Sequence, residues 1–198
     1  MYLRILELRT SNLSLSFSLS HTHTYIHSYA LSIGSASHDV KIRGNRFNDL
    51  SGGAIKIGNV LGNRALSNET SDWDIRYVID NNVIESVSVE YRGGAAIFAG
   101  YVAFTNITHN TIKETGYTGI SLGWGWGSHV FGPQTFARNN RIDGNRLLGV
   151  MSSLNDGGCT YTLGPQPNSF VTNNYCRADF APVVGCFFHD NGSRYFTT

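Results

Sequence analysis

The chain has 198 residues, of which 15% are charged, and its formal net charge is +1. A net charge this small gives no strong electrostatic attraction to nucleic acid or to an anionic membrane surface. The sequence also lacks an apolar run of about 18 residues, so no transmembrane helix is predicted, and its length suits a single domain.

The first 28 residues differ in composition from the rest of the chain. Leu and Phe alternate with Ser and Asn over residues 12–20, and a run of His and Thr follows at residues 21–27. The alternation suits a strand and the His spacing suits a metal site, but we interpret residues 1–28 as a low-complexity lead-in. Residues 29–198 are then predicted to form the domain. Ser and Glu residues interrupt the pattern of a signal peptide, so this segment does not itself predict secretion.

Two short patterns recur from residue 29 onwards. In the first, an Asn is followed two residues later by an apolar residue, and the copies begin at Asn45, Asn82, Asn110, Asn145 and Asn174. In the second, a small residue precedes a short strand, and the first strand residues are Leu31, Ile55, Ile97, Ile120, Thr160 and Phe187. These positions define a repeat of about 23–27 residues, with two repeats longer by roughly 16–18 residues.

A repeat of this length has room for two or three brief strands and no helix, and the 3.6-residue apolar stripes of helical solenoids are missing from the sequence. We therefore predict an all-β fold, a right-handed parallel β-helix, which is a single-stranded solenoid of about six coils. Neither end carries the cap that a solenoid needs, which predicts a fragment of a longer solenoid. The recurring Asn residues predict a buried ladder of side-chain amides. The alternative is a β-sandwich with frequent turns.

Two coils are lengthened at the same end of the same strand. The extra residues are 59–73, which follow Gly58, and 124–137, which follow Gly123. Insertions in solenoids cluster where ligands bind, so these two loops are predicted to form one wall of a groove. The alternative is that the loops vary in length without a shared role.

The three cysteines lie near the end of the chain. Cys159 and Cys186 share one register position on adjacent coils, about 4.8 Å apart by strand spacing. This placement predicts a stacked pair of buried thiols, with a disulfide between the same two residues as the alternative.

Three segments carry more polar or aromatic groups than a coil needs. In residues 116–127, Trp124 and Trp126 alternate with Gly, which suits a platform for the apolar faces of sugars, although core packing would explain one of them. In residues 155–164, Asp156 precedes two glycines. It either caps a turn there or acts as a catalytic carboxylate. In residues 189–193, Asp190 follows His189 at a strand end, and a carboxyl group among aromatic side chains is suited to act as a general acid.

These segments resemble the β-helix proteins of glycoside hydrolase family 141, which includes α-L-fucosidase and xylanase activities on plant polysaccharide. The family motifs run from Tyr-Ser-Gly-Ile-Ser and Gly-Trp-Gly-Trp through Asp-Gly-Gly and Tyr-Thr-Leu-Gly to Asp-x-Gly-Ser. Similar motifs stand here, in the same order, at residues 117–121, 123–126, 156–158, 161–164 and 190–193. The resemblance covers residues 37–193 and implies that Asp156 and Asp190 are the catalytic carboxylates of a secreted enzyme. Asn191 departs from the acidic residue that many relatives have there.

Eight further residues are predicted to bind the sugar. They are Trp124, Trp126, Tyr117, His129, Tyr161, His189, Glu90 and Arg92. No metal and no cofactor is predicted, and the predicted partner is a polysaccharide or oligosaccharide. If the chain were fully extended, Asp156 and Asp190 would lie roughly 20 Å apart, whereas glycosidase carboxylates lie about 5–9.5 Å apart. The pair therefore requires the glycine-rich turns to bring the two side chains together.

Three functions follow from this pattern. The first is a glycoside hydrolase that uses two carboxylates, and the second is a non-catalytic or degenerate carbohydrate-binding β-helix. The third is a polysaccharide lyase or epimerase, which ranks last because the three segments have no Lys to neutralise a uronate and no acidic cluster for Ca²⁺.

Overall fold

The computed structural model describes residues 13–15, 18–22, 29–34, 36–125, 135–177 and 185–198. Two of the predicted site residues, Trp126 and His129, lie outside the described residues. So do His23 and His27 of the His/Thr run.

The described strands form three parallel sheets, designated A, B and C. Sheet A contains β1 (Leu13–Leu15), β4 (Val40–Arg43), β7 (Val78–Asp80), β10 (Asn106–Thr108), β13 (Arg141–Asp143), β16 (Pro165–Thr172) and β19 (Arg194–Thr197). Sheet B contains β2 (Ser18–Thr22), β5 (Arg46–Leu50), β8 (Val83–Val87), β11 (Thr111–Thr115), β14 (Arg146–Leu148) and β17 (Tyr175–Arg177). Sheet C contains β3 (Tyr29–Ile33), β6 (Gly53–Ile57), β9 (Ile97–Ala99), β12 (Ile120–Leu122), β15 (Thr160–Thr162) and β18 (Phe187–His189).

The order of the strands identifies the fold. Each coil adds one strand to sheet A, then one to sheet B and one to sheet C, and every pairing is with the coil above or below. This arrangement is a right-handed parallel β-helix, as predicted. Helical structure among the described residues is limited to α1 (Gly62–Ala65) and a 3-10 turn (Thr70–Asp72). In the part of the chain that the structure covers, no helix is long and apolar enough to cross a membrane.

The register of sheet C is the one predicted from the repeats. The paired residues, coil by coil, are Leu31, Ile55, Ile97, Ile120, Thr160 and Phe187. Side chains alternate between the two faces of a strand, so this row and the row two residues later face the interior. Ile55, Ile97 and Ile120 are fully buried there. Burial of each such side chain stabilises the fold by about 1.5–3 kcal/mol.

The interior rows of sheets A and B complete the core. In sheet A the row is Ile42, Ile79, Ile107, Ile142 and Val171. In sheet B it is Phe47, Ile84, Ile112, Leu147 and Cys176. One apolar residue per strand at the same depth is what lets successive coils stack without voids.

The predicted ladder of Asn side chains lies at the turn between sheets A and B. Asn45, Asn82, Asn110, Asn145 and Asn174 follow one another up the helix, and each donates from its backbone N–H and its side-chain Nδ2 to Oδ1 of the next, at 2.9–3.0 Å. The residue before each Asn has a positive φ, which turns the chain sharply. A buried turn of this kind leaves backbone groups unpaired, and the ladder pairs them.

Two strands lie before the predicted start of the domain. β1 pairs with β4, and β2 pairs with β5, both in parallel. Sheets A and B therefore extend into the segment 1–28, while the boundary at residue 28 itself stays a prediction.

The predicted pairing of the cysteines is wrong. Cys159 forms a disulfide with Cys176, with their Cα atoms 5.9 Å apart, and Cys186 is a free and exposed cysteine. The reason is that Cys176 pairs with Leu147 in the interior row of sheet B, so its Sγ points into the core toward Cys159. Cys186 does keep the predicted register, because its neighbour Phe187 pairs with Thr160.

Reduction of this disulfide is expected to destabilise the protein. The bond joins residues 17 positions apart, and closure of a loop of that size stabilises the folded state by about 3 kcal/mol. Cys176→Ser should therefore lower the melting temperature by several degrees, and dithiothreitol should lower that of the unaltered protein by a similar amount. Cys186→Ser is the matched control and should melt like the unaltered protein. If the unaltered protein, Cys176→Ser and Cys186→Ser had the same melting temperature with and without reductant, the Cys159–Cys176 disulfide would be contradicted.

The two lengthened loops contact each other across the coil that separates them. The ring of Phe136 stacks on that of Trp73, with centroids 5.1 Å apart, and the Phe136 N–H donates to the Ala65 carbonyl at 2.9 Å. The guanidinium of Arg138 lies 5.5 Å from the Trp73 ring. The described ends of the two loops thus contact each other, while the predicted groove between them stays a prediction.

Candidate active site

The outer face of sheet C forms the floor of a cleft. Its outward row, read coil by coil, is Lys56, Phe98, Ser121, Tyr161 and Phe188. The cleft has a volume of about 370 Å³, and its lining residues are Tyr29, Lys56, Val60, Gly93, Ala95, Phe98, Tyr117, Ser121, Trp124, Tyr161 and Leu163. Three of the predicted sugar-binding residues, Tyr117, Trp124 and Tyr161, are among them.

Aromatic rings dominate the cleft. Trp124 contacts Phe98 edge to face, with ring centroids 5.7 Å apart, and Tyr29 lies 6.2 Å from the same ring. Trp124 stands at the wall that the lengthened loop forms after β12, and it is half-buried. The Trp124 ring also packs against the apolar cluster that contains Tyr101 and Phe136. Aromatic rings at the surface of a cleft are suited to stack on the apolar faces of sugars.

Asp156 lies beside one wall of the cleft because its loop packs on Tyr117. The Tyr117 hydroxyl donates to the backbone carbonyl of Asp156 at 2.9 Å. A Cβ atom at Gly157 would lie 2.6 Å from Thr118 Oγ1 and 2.8 Å from the Tyr117 ring, so only glycine permits this approach. Asp156 has φ of +61°, and its side chain is exposed. The carboxyl group is therefore presented to solvent from a fixed backbone.

Asp190 lies beside the next stretch of the cleft through Tyr161. The Tyr161 hydroxyl donates to Oδ2 of Asp190, while the Tyr161 ring contacts Phe188 edge to face at 5.3 Å. The Asp190 backbone is also held, since its N–H donates to the Thr162 carbonyl at 3.1 Å and its carbonyl accepts from Ser193 N–H at 2.9 Å. Asp190 is half-buried. This carboxylate is thus fixed in orientation by a tyrosine that lines the cleft.

The charges of both carboxylates affect the pKa of one tyrosine, Tyr117. Burial raises the pKa of the Tyr117 hydroxyl, and the negative charges of Asp156 and Asp190 raise this pKa further. Charges have such an effect only at short range in a partly buried site. The chain from Asp156 to Tyr161 is not fully extended, because Asp156 has a positive φ and its backbone carbonyl accepts a hydrogen bond from Tyr117.

Five of the predicted site residues that the structure describes do not line the cleft: Asp156 and Asp190, which contact lining tyrosines, and His189, Glu90 and Arg92. His189 pairs with Thr162 on an interior row of sheet C, where its Nδ1 lies 2.7 Å from Thr162 Oγ1 and its ring contacts Phe196 at 5.2 Å. Glu90 and Arg92 are exposed in the loop before β9, and Arg92 donates to Ser153 Oγ at 3.1 Å. For His189 the reason is the two-residue period of the strand, which turns it away from the outer face.

Sequence reasoning missed several residues that line the cleft, chiefly Tyr29, Lys56, Phe98 and Ser121. The signal for the last three was present. Each directly follows an aligned interior residue, namely Ile55, Ile97 or Ile120, and alternation places it on the outer face. Within the described residues, no three His, Cys, Asp or Glu side chains lie close enough together to hold a metal ion.

Comparisons with known proteins give one relevant likeness. No family model matches the chain, and no curated protein matches it. A solved structure described as a glycoside hydrolase matches with a TM-score of 0.73 and 30% sequence identity. The match covers 84% of this chain and 30% of that chain, so this chain spans less than a third of the length of its structural neighbour. The description names no numbered family, and the resemblance to family 141 stays a prediction.

Proposed function

We propose that this β-helix hydrolyses glycosidic bonds in a polysaccharide that lies along the outer face of sheet C. Asp156 and Asp190 would act as the pair of carboxylates. The observation that carries the proposal is that the Asp156 backbone and the Asp190 carboxylate each accept a hydrogen bond from a tyrosine, Tyr117 or Tyr161, that lines an aromatic cleft. The likeness to a glycoside hydrolase at 30% identity supports the same reaction class.

The geometry supports a division of labour between the two carboxyl groups. Asp190 accepts a hydrogen bond from Tyr161 and is oriented to attack the anomeric carbon, directly or through a water molecule. Asp156 is free at the solvent side of the cleft and would donate its proton to the glycosidic oxygen as the bond from carbon to that oxygen breaks. The new bond at the anomeric carbon comes from the Asp190 carboxylate or from the activated water. Trp124 and Phe98 would hold the sugar ring next to this point.

We extend the proposal to the family of the protein and to its location. The order of the motifs supports membership of glycoside hydrolase family 141. The disulfide between Cys159 and Cys176 supports a secreted protein, because disulfides form and persist in oxidising compartments.

The test is the release of new reducing ends from a panel of plant cell-wall polysaccharides. The control is the double variant Asp156→Asn, Asp190→Asn, whose fold is checked by circular dichroism. We expect the unaltered protein to release reducing ends from at least one polysaccharide and the double variant to release none above background. Binding of a polysaccharide without hydrolysis would refute the proposal and support the non-catalytic carbohydrate-binding β-helix. Equal release by both proteins would refute the roles of the two carboxylates.

A further inference from the structure

Lys56 is the one charged side chain among the described residues that line the cleft. It occupies the outward row of sheet C on β6, next to Phe98 on β9. Its Nζ lies 6.0 Å from the centroid of the Phe98 ring, and the side chain is half-buried. A cation at this place is held over an aromatic face at the floor of the cleft.

The ammonium group of Lys56 has no carboxylate partner in the described part of the chain. Two other cations on strand faces have carboxylate partners, since Arg43 pairs with Asp80 and Lys113 pairs with Glu85. A half-buried charge loses hydration, and that loss is offset only when an anion or several acceptors contact it. The outward neighbour of Lys56 on β3 is Ser32, which carries no charge. The charge is therefore available to a ligand.

We propose that the cleft binds an acidic saccharide, whose carboxylate or sulfate group pairs with Lys56. This inference rests on the proposed function, which it deepens by naming the substrate class. The apolar ring faces would contact Phe98 and Trp124, while the anionic substituent reaches the ammonium group, which is the pattern by which aromatic clefts bind a charged sugar.

The position of Lys56 separates this charge from the carboxylate of Asp190. Lys56 lies on β6, and Tyr161, which holds Asp190, lies on β15, three strands further along sheet C. Three strand spacings amount to about 14 Å, which exceeds the Debye length of roughly 8 Å at physiological ionic strength. Asp190 therefore does not neutralise Lys56 through solvent. The acidic unit would bind at one end of the cleft, away from the bond that is broken.

The experiment compares ligands that differ only in charge. The probes are trigalacturonate and its full methyl ester, together with a sulfated galactan oligosaccharide and its desulfated form. Affinities are measured by isothermal titration calorimetry for the unaltered protein, Lys56→Met, Lys56→Arg and Lys41→Met. Lys41 is exposed on the outer face of sheet A, so Lys41→Met removes the same charge far from the cleft. Thermal melting checks that each variant is folded.

We expect at least one acidic probe to bind about tenfold or more tightly than its neutral form. Lys56→Met should abolish that preference, Lys56→Arg should keep most of it, and Lys41→Met should leave it unchanged. The pair of probes that shows the preference identifies the anion as a carboxylate or a sulfate. Equal affinity for acidic and neutral probes, binding of no probe, or an equal loss in Lys41→Met would overturn the inference. Acid-selective binding without any hydrolysis would keep the inference while refuting the proposed function.

Discussion

Asp190→Asn should reduce the rate of polysaccharide hydrolysis by about 10³-fold or more. The amide keeps the size of the side chain, so Tyr161 still packs beside it, but the neutral group can neither attack the anomeric carbon nor take a proton from water. Loss of a group in acid/base or nucleophilic roles typically costs 10²–10⁴-fold. The measurement is kcat/KM on the polysaccharide that the unaltered protein hydrolyses best, with circular dichroism to show that the fold is intact.

Measuring Asp156→Asn on substrates with different leaving groups distinguishes the general acid from the nucleophile or general base. An acid is needed when the leaving group is a sugar alcohol, and much less when it is an activated phenol. We expect Asp156→Asn to lose about 10²–10⁴-fold on polysaccharide but far less on an aryl glycoside of the same sugar. Asn tolerates the positive φ of this position as Asp does, so a folding defect is not expected.

The contrary outcomes are specific to each residue. If Asp190→Asn is the variant that an aryl glycoside rescues, the two roles are exchanged. If each single variant keeps more than a tenth of the activity of the unaltered protein, neither residue belongs to the reacting pair.

Asn110→Ala should lower the free energy of unfolding by roughly 3–5 kcal/mol. Asn110 is buried at the centre of the ladder, where its Oδ1 accepts from both the N–H and Nδ2 of Asn82, and its Nδ2 donates to the Ile79 carbonyl. The shorter side chain removes the bonds to the Asn82 N–H and the Ile79 carbonyl, while Asn82 Nδ2 keeps its bond to the Ile42 carbonyl. Each buried group left unpaired costs about 1–3 kcal/mol. Urea unfolding followed by tryptophan fluorescence measures the change through the midpoint and the slope.

Asn174→Ala is the matched control at the end of the same ladder. Asn174 makes the same bonds to Asn145 and to the Ile142 carbonyl, but it is only half-buried. Water can replace its amide, so we expect a loss of about 1 kcal/mol. Similar losses in the two variants would mean that the bonds, and not their burial, set the effect, and would contradict the account of the ladder as a dry network.

The parts of the fold that repeat along the chain were predicted from sequence. The register of sheet C was obtained because a solenoid places equivalent residues directly above one another, so one alignment of Ile55, Ile97 and Ile120 fixes the pairing of all strands between them. The ladder was predictable for the same reason, since an Asn recurs wherever the turn needs an amide. The disulfide was not, because it joins sheets B and C across the interior, and no repeat relates Cys159 to Cys176.

The candidate site also has a part that the sequence indicated and a part that it did not. Motif order and the length of two loops indicated Tyr117, Trp124, Tyr161 and a groove at the strand ends, because strand ends and insertions are visible in a linear pattern. The sequence by itself thus determined the solenoid and its register, since both depend on periodic burial of side chains.

Only the tertiary structure decided which side chains meet at that cleft. It placed His189 on the inward row of the last strand of sheet C, where the residue is exposed. It also folded the glycine turn of Asp156 onto Tyr117 and brought Lys56, from two coils before β12, to the floor of the cleft. Contacts between different coils depend on the angle at which each turn leaves its strand. That angle is set by packing among residues far apart in the chain.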